Sequence, residues 1–165
     1  MIAVVVTEAE LVSWGRRIGA EAGPPVFIGL RGPLGAGKSV LARAVAEGAG
    51  VREYLPSPTF NIVFRYGLAG RADGSAGGLA SSVVHADLYR LRSVEELGGI
   101  GWDDLVGDEG AIVLVEWPEH AGGELPADRW ELTLGYAEGD PGLRTVEVER
   151  LGEPSALPAF PVGVG

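Results

Sequence analysis

Apolar residues fall in short blocks along the chain, punctuated by glycine, proline and acidic residues. Residues 2–6 form a β-rich run, and Thr7-Glu8-Ala9-Glu10 after them has the form of a capping box. A helix is expected from there to about Ala22, stopped by Pro24-Pro25. Residues 26–30 read as a buried strand. A glycine loop follows, then a helical pattern through about Glu47 that Gly48-Ala49-Gly50 closes. Pro56-Ser57-Pro58 stiffens the connection into a strand over residues 59–66. Residues 67–82, rich in Gly, Ala and Ser, predict a flexible loop.

The second half repeats the alternation. Residues 82–86 predict a short strand ending in Asp87, and Ser93 with Glu96 predicts a capped helix. Residues 102–106 suit a further short helix, and 111–115 a buried strand ending in Glu116-Trp117-Pro118. Residues 130–136 and 145–150 flank Asp140-Pro141-Gly142 as a hairpin would. From Leu151 the chain carries three prolines and no basic residue, which predicts a disordered tail over 151–165. The expected fold is α/β: one domain over residues 1–150, a mixed and largely parallel sheet flanked by helices, and an antiparallel C-terminal hairpin.

Composition narrows the chemistry. With no cysteine among 165 residues, disulfide frameworks and thiolate sites are excluded, and a reducing cytoplasm is the expected setting. The apolar opening is too short for a membrane span and has no basic region before it, so neither membrane insertion nor a signal peptide is expected. A net charge of −10 opposes approach to a phosphate backbone. The 13 basic residues include a single lysine, Lys38. A chain that otherwise uses arginine keeps one compact ammonium, and keeps it inside a motif.

That motif is Gly32-Pro33-Leu34-Gly35-Ala36-Gly37-Lys38-Ser39, which satisfies G-x-x-x-x-G-K-[ST] between a predicted strand and a predicted helix. Glycines let backbone N–H groups face a phosphate, and the helix N-terminus adds positive partial charge. In such a loop Lys38 bridges the β- and γ-phosphates and the Ser39 hydroxyl binds Mg²⁺. The absence of a guanine-reading Asn-Lys-x-Asp favours ATP over GTP. Two apolar strands end in acids, Asp87 and Glu116, where ligands of open α/β sheets collect. Either acid suits Mg²⁺ binding or polarisation of an attacking water; a plain loop acid is the competing reading. His85 shares a strand face with Asp87 and reads as a core or supporting histidine before a catalytic base. Arg90 fits phosphate neutralisation and surface ion pairing equally. Thr59 fits a γ-phosphate sensor or a simple strand start.

In this order the blocks resemble the TsaE family, the bacterial ATPases of tRNA threonylcarbamoyladenosine biosynthesis. They are the glycine loop, Ser57-Pro58-Thr59-Phe60, His85-Ala86-Asp87-Leu88-Tyr89-Arg90-Leu91, Gly101-Trp102-Asp103-Asp104 and Leu114-Val115-Glu116-Trp117-Pro118-Glu119. The likeness spans about residues 7–136. It implies that Lys38 and the loop hold ATP, that Ser39 and Glu116 hold Mg²⁺, and that Thr59 and Asp87 belong to two switch-like segments. It implies Trp117 as a functional neighbour of Glu116, and Asp87 as tied to hydrolysis. It also implies two partners, the threonylcarbamoyl transferase subunit and its paralogous companion (TsaD- and TsaB-like), with hydrolysis resetting the assembly. Three positions depart from the pattern: Pro33 replaces a common acid, Ser39 a threonine, and Val40 a second hydroxyl residue that would reach the α-phosphate. Thr7 is the candidate for the adenine end. A small-molecule kinase and a non-hydrolysing nucleotide switch are the competing functions.

The charge balance makes a first prediction. A protein that grips tRNA neutralises several phosphates, and the only adjacent arginine pair here is Arg16-Arg17. Filter binding of the isolated chain to tRNA near physiological salt is expected to be negative. Tight binding that falls steeply with salt would contradict it.

Overall fold

The structure is a computed structural model that describes residues 3–52, 63–68 and 78–159. Its elements are β1 (Val4–Thr7), α1 (Glu8–Glu21), β2 (Val26–Arg31), α2 (Lys38–Ala49), β3 (Val63–Gly67), β4 (Ser82–Asp87), α3 (Trp102–Val106), β5 (Ala111–Glu116), β6 (Arg129–Tyr136) and β7 (Leu143–Leu151). Two 3₁₀ segments, Val94–Ile100 and Pro118–Glu124, fill the connections around α3 and after β5. The strands form one seven-stranded sheet in the order β1-β7-β6-β2-β5-β4-β3. β6, β2, β5 and β4 run parallel. The β6–β7 hairpin, β1 and β3 add antiparallel pairings at both edges.

The period-two alternation of the central strands sorts their side chains into two cores. Ile28, Leu30, Val83, Ile112, Leu114, Leu132 and Leu134 pack under α1 and α2. Phe27, Val84, Ala86, Val113 and Val115 face the other side with Trp102 and Leu105 of α3. Both faces are therefore covered, which is why β2 and β5 read as unbroken apolar runs. The same alternation decides the site. His85 and Asp87 follow Val83 onto the α2 side, and Glu116 follows Leu114.

α1 begins at the expected cap. The Thr7 hydroxyl accepts from the Glu10 N–H at 3.2 Å, and the Glu10 carboxylate accepts from the Thr7 N–H at 2.8 Å. α1 crosses α2 almost backbone to backbone. A Cβ on Gly19 would stand 1.9 Å from the Val45 carbonyl oxygen, and one on Gly48 would stand 2.0 Å from that of Arg16. Only glycine lets the two helices approach this closely, and α2 is thereby seated where its N-terminus meets the end of β2.

Two expectations are corrected. Ser93 makes no side-chain cap; the Glu96 carboxylate instead takes the Arg92 N–H, and the segment winds as 3₁₀. Gly98, Gly99 and Gly101 raise the entropy cost of a longer helix there. The expected disordered tail is ordered through residue 159. Leu151 ends β7, and the chain after it folds back over the α1 side of the sheet. The indoles of buried Trp14 and partly buried Trp130 need acceptors, and they donate to the Pro158 and Ser155 carbonyls at 3.2 and 2.8 Å. Prolines suit this strap, because an extended segment off the sheet needs no N–H of its own. Thr59, the Pro-Ser-Pro segment and most of the 67–82 loop lie outside the described residues.

Helix contact through glycine makes a prediction. Gly19→Ala is expected to lower the unfolding free energy by about 1–3 kcal/mol in denaturant titration, as overpacked cores do. Gly99→Ala, with no atom within 4 Å of its new Cβ, serves as the control and is expected to stay within about 0.5 kcal/mol. Equal effects at the two positions would contradict the close-packing argument.

Candidate active site

β2 delivers the chain into the glycine loop at Arg31, and the loop's geometry follows from its contacts. Gly32 has φ +133°, and a Cβ there would lie 2.1 Å from the Leu134 carbonyl oxygen. Gly37, at φ +108°, is the residue before α2 and offers no side chain to cap it. The first intrahelical bond is Leu41 N–H to the Gly37 carbonyl. The N–H groups of the first turn are thus left for a ligand, with the helix dipole behind them.

Lys38, 4% exposed, donates to the Gly32 carbonyl and, at 3.0 Å, to that of Pro33. Its ammonium also lies 4.4 Å from the centre of the Trp117 ring. Burial pushes the Lys38 pKa down, and the negative charges of Glu116, Asp87 and Glu119 oppose that shift. The lysine is therefore held by its own loop and by one aromatic face, both of which a phosphate oxygen can replace.

Glu116 closes β5 with Leu30 beside it on one strand and Asp87 on the other. The residue is 3% exposed. Its carboxylate accepts from the Ser39 hydroxyl at 3.1 and 3.2 Å and meets His85 Nε2 at 2.6 Å. Asp87, half-buried, accepts the Tyr89 N–H at 2.9 Å. Burial raises its pKa and the nearby Glu116 charge adds to the rise, while the Tyr89 bond, His85 and Lys38 offset part of it.

The turn after Glu116 is built rather than loose. Trp117 has φ +58°, the only positive φ outside glycine among the described residues. Its N–H donates to the Leu30 carbonyl at 3.2 Å, and its ring packs against Tyr89 and His120 with centroids 5.1 and 5.9 Å apart. His120 Nδ1 meets the Leu88 carbonyl at 2.7 Å. Pro118 lies where a Cβ on Gly29 would come within 3.1 Å, so that glycine admits the turn.

Around these groups lies a cavity of about 260 Å³, lined by Leu34, Gly35, Gly37, Lys38, Ser39, Val40, Asp87, Tyr89, Glu116 and Trp117. The structure thus assembles most of the residues singled out in the sequence. Gly32 and Pro33 contribute carbonyls to Lys38, and Ala36 is buried in the core. Thr7 is exposed, engaged in capping α1, and does not line the cavity; neither does Arg90. The direct bond from His85 to Glu116 was not foreseen. Its signal lay in strand spacing, since His85 stands diagonally from Glu116 in the β4–β5 register.

Chemically, the set offers an ammonium and helix N–H groups to a polyanion, and a hydroxyl with a carboxylate to a hard cation. Among the described residues no group of three or more His, Cys, Asp or Glu side chains could hold a metal ion alone. A cation here would complete its shell from water and phosphate oxygens, which is the habit of Mg²⁺.

Known proteins resemble this chain in sequence and fold. A family model described as threonylcarbamoyl adenosine biosynthesis protein TsaE matches residues 5–145. A Streptomyces coelicolor protein described as tRNA threonylcarbamoyladenosine biosynthesis protein TsaE is 37% identical over 142 residues, 84% of this chain and 89% of that protein. One of the same description from Haemophilus influenzae is 31% identical over 128 residues, 78% and 74% of the two chains. The crystal structure of YdiB from Bacillus subtilis superimposes with a TM-score of 0.67 at 26% identity, covering 92% of this chain and 86% of that one. The likeness supports the expected P-loop NTPase-like α/β fold.

The raised Asp87 pKa has a consequence for stability. The folded chain holds that proton more tightly than the unfolded chain does. Folding is therefore favoured by the group below the ordinary Asp range, near pH 3.9, and that advantage is lost as pH rises through the raised value. Asp87→Asn removes the buried charge, so it is expected to be more stable than wild type at pH 7. The gap should close on acidification. A variant less stable than wild type at pH 7, with a gap independent of pH, would contradict the assignment.

Proposed function

The chain belongs to the TsaE family, whose role is tRNA threonylcarbamoyladenosine biosynthesis, and from that premise we propose that it is an ATP hydrolase serving this modification. The observation that carries the proposal is the convergence of Lys38, Ser39, Asp87 and Glu116 on one cavity at the carboxyl ends of β2, β4 and β5.

On this reading the first-turn N–H groups of α2 and the Lys38 ammonium bind the ATP phosphates, Lys38 giving up the Gly32 and Pro33 carbonyls to do so. Ser39 Oγ and Glu116 hold Mg²⁺, which when bound neutralises charge on the β- and γ-phosphates. Glu116 is occupied by Ser39 and His85, whereas Asp87 accepts the Tyr89 N–H with one oxygen and lines the cavity. Asp87 is accordingly the acid that orients the attacking water and draws its proton. Water oxygen bonds to the γ-phosphorus as the bond to the ADP oxygen breaks, leaving ADP and phosphate. The Trp117 ring and Tyr89 keep bulk water from Lys38. Thr59 is proposed to complete the γ-phosphate side and Thr7 the adenine end.

The proposed partners are the threonylcarbamoyl transferase subunit and its paralogous companion, TsaD- and TsaB-like. An acidic chain suits docking on a basic protein surface that also serves tRNA, and hydrolysis would then reset the assembly. The proposed setting is the cytoplasm; among the described residues no helix is long and apolar enough to cross a membrane.

Three variants test the assignment. Lys38→Ala is expected to abolish measurable ATP binding while keeping the fold. Asp87→Ala and Glu116→Ala are expected to lose about 10²–10³ in hydrolysis rate, with metal-free ADP affinity little changed. Activity should rise when the two partner subunits are added. If Lys38→Ala binds ATP like wild type, or both acid variants hydrolyse within about threefold of it, the site is not an ATPase centre.

A further inference from the structure

His85 is 1% exposed, sits on a central strand, and is not one of the groups the proposed reaction uses. Two carboxylates stand beside it. Asp87 and Glu116 are direct partners in the β4–β5 register and share one face of the sheet, a placement in which like charges repel. Free to relax, such a pair would settle into whatever arrangement best shares a cation or a proton. The structure instead commits the two acids differently. His85 lies one step back on β4, on the same face, and its Nε2 meets Glu116 Oε2 at 2.6 Å, both groups out of water. Toward a carboxylate that nitrogen must carry the hydrogen and donate it. From the other side the Ser39 hydroxyl reaches both Glu116 oxygens at 3.1 and 3.2 Å. The carboxylate is therefore fixed between an imidazole at the back and α2 at the front, while Asp87 turns to the Tyr89 N–H.

We infer that His85 is a positioning residue. By donating to Glu116 Oε2 it holds that carboxylate against Ser39 at the mouth of the phosphate loop, and so divides the two neighbouring acids into a cation ligand and a water-orienting group. The inference rests on the proposed nucleotide site and adds to it a residue that touches neither nucleotide nor metal. A hydrogen bond of this kind fixes the rotamer of the ligand behind which it stands. Removing such a partner typically weakens metal affinity by about 10–100-fold.

The test is the metal-dependent part of ADP binding, which needs no turnover. Calorimetric titration of the full chain with ADP, with and without Mg²⁺, gives two affinities, and their ratio reports the cation site alone. His85→Leu, which fills the space but has no donor, is expected to cut that ratio about 10–100-fold while metal-free ADP affinity stays within about twofold. His85→Gln, whose amide can donate, should recover most of the ratio. His85→Asn, too short to reach Glu116, should behave like His85→Leu and stands in for it should the leucine variant not fold. Adding Glu116→Gln to His85→Leu should produce no further loss. The inference is overturned if His85→Leu or His85→Asn keeps the wild-type ratio within about threefold, or if metal-free and metal-dependent affinities fall together, which would mark His85 as structural only. Wild-type chain that binds ADP equally well with and without Mg²⁺ would remove the cation site and this inference with it; wild type that fails to bind ADP at all would overturn the ATPase reading itself.

Discussion

Two opposite charges, the Lys38 ammonium and the Glu116 carboxylate, are held almost out of water at the same end of one sheet. Taking either ion from water costs several kcal/mol unless its partners replace the lost hydration. The partners chosen here are weak or exchangeable on the cavity side and firm on the protein side. Lys38 has two loop carbonyls and an aromatic face, and Glu116 has a hydroxyl in front and an imidazole behind. The depressed pKa of Lys38 and the raised pKa of Asp87 are the signature of that burial, with neighbouring charges modifying each. A site so arranged is short of counter-charge on the side where a phosphate and a cation would arrive.

The rest of the fold can be read as support for that arrangement. Four parallel strands bring the ends of β2, β4 and β5 side by side, and covering both faces fixes their register. The glycine contacts between α1 and α2 leave the phosphate-loop helix no room to slide. Just outside the loop, Arg31 bridges the buried Glu131 at 2.7 Å and Glu119 at 3.2 Å, and Arg129 holds Glu131 from the other side at 2.8 Å. The Arg31 pKa is raised, chiefly by its hydrogen bond to Glu131, and these pairs tie the start of the loop to the turn that carries Trp117.

Much of this was legible in the residues. The Thr7–Glu10 box, the glycine loop between strand and helix, and the strand-ending acids each have a local physical cause that spacing alone exposes. What failed to show were features that depend on distant partners. The segment after Leu151 looks too proline-rich to fold, yet through residue 159 it is held by partners far away in sequence, among them the indole N–H groups of Trp14 and Trp130, the Pro25 carbonyl and the Asp128 carboxylate. Ser93 carried the cap signature without the cap, because the glycines after it weaken the helix it would start. The bond from His85 to Glu116 crosses between strands and becomes visible only once the register is known.

The central claim is that Lys38 leaves its own loop for a nucleotide phosphate, and the sequence supplies an unusually clean probe of it. The chain contains one lysine, so protein labelled with ¹⁵N-lysine has a single side-chain ammonium resonance. Titration with ATP and Mg²⁺ is predicted to shift that resonance to saturation, while adenosine, which has no phosphate, leaves it in place. A Lys38 signal unmoved at saturating ATP would contradict the account.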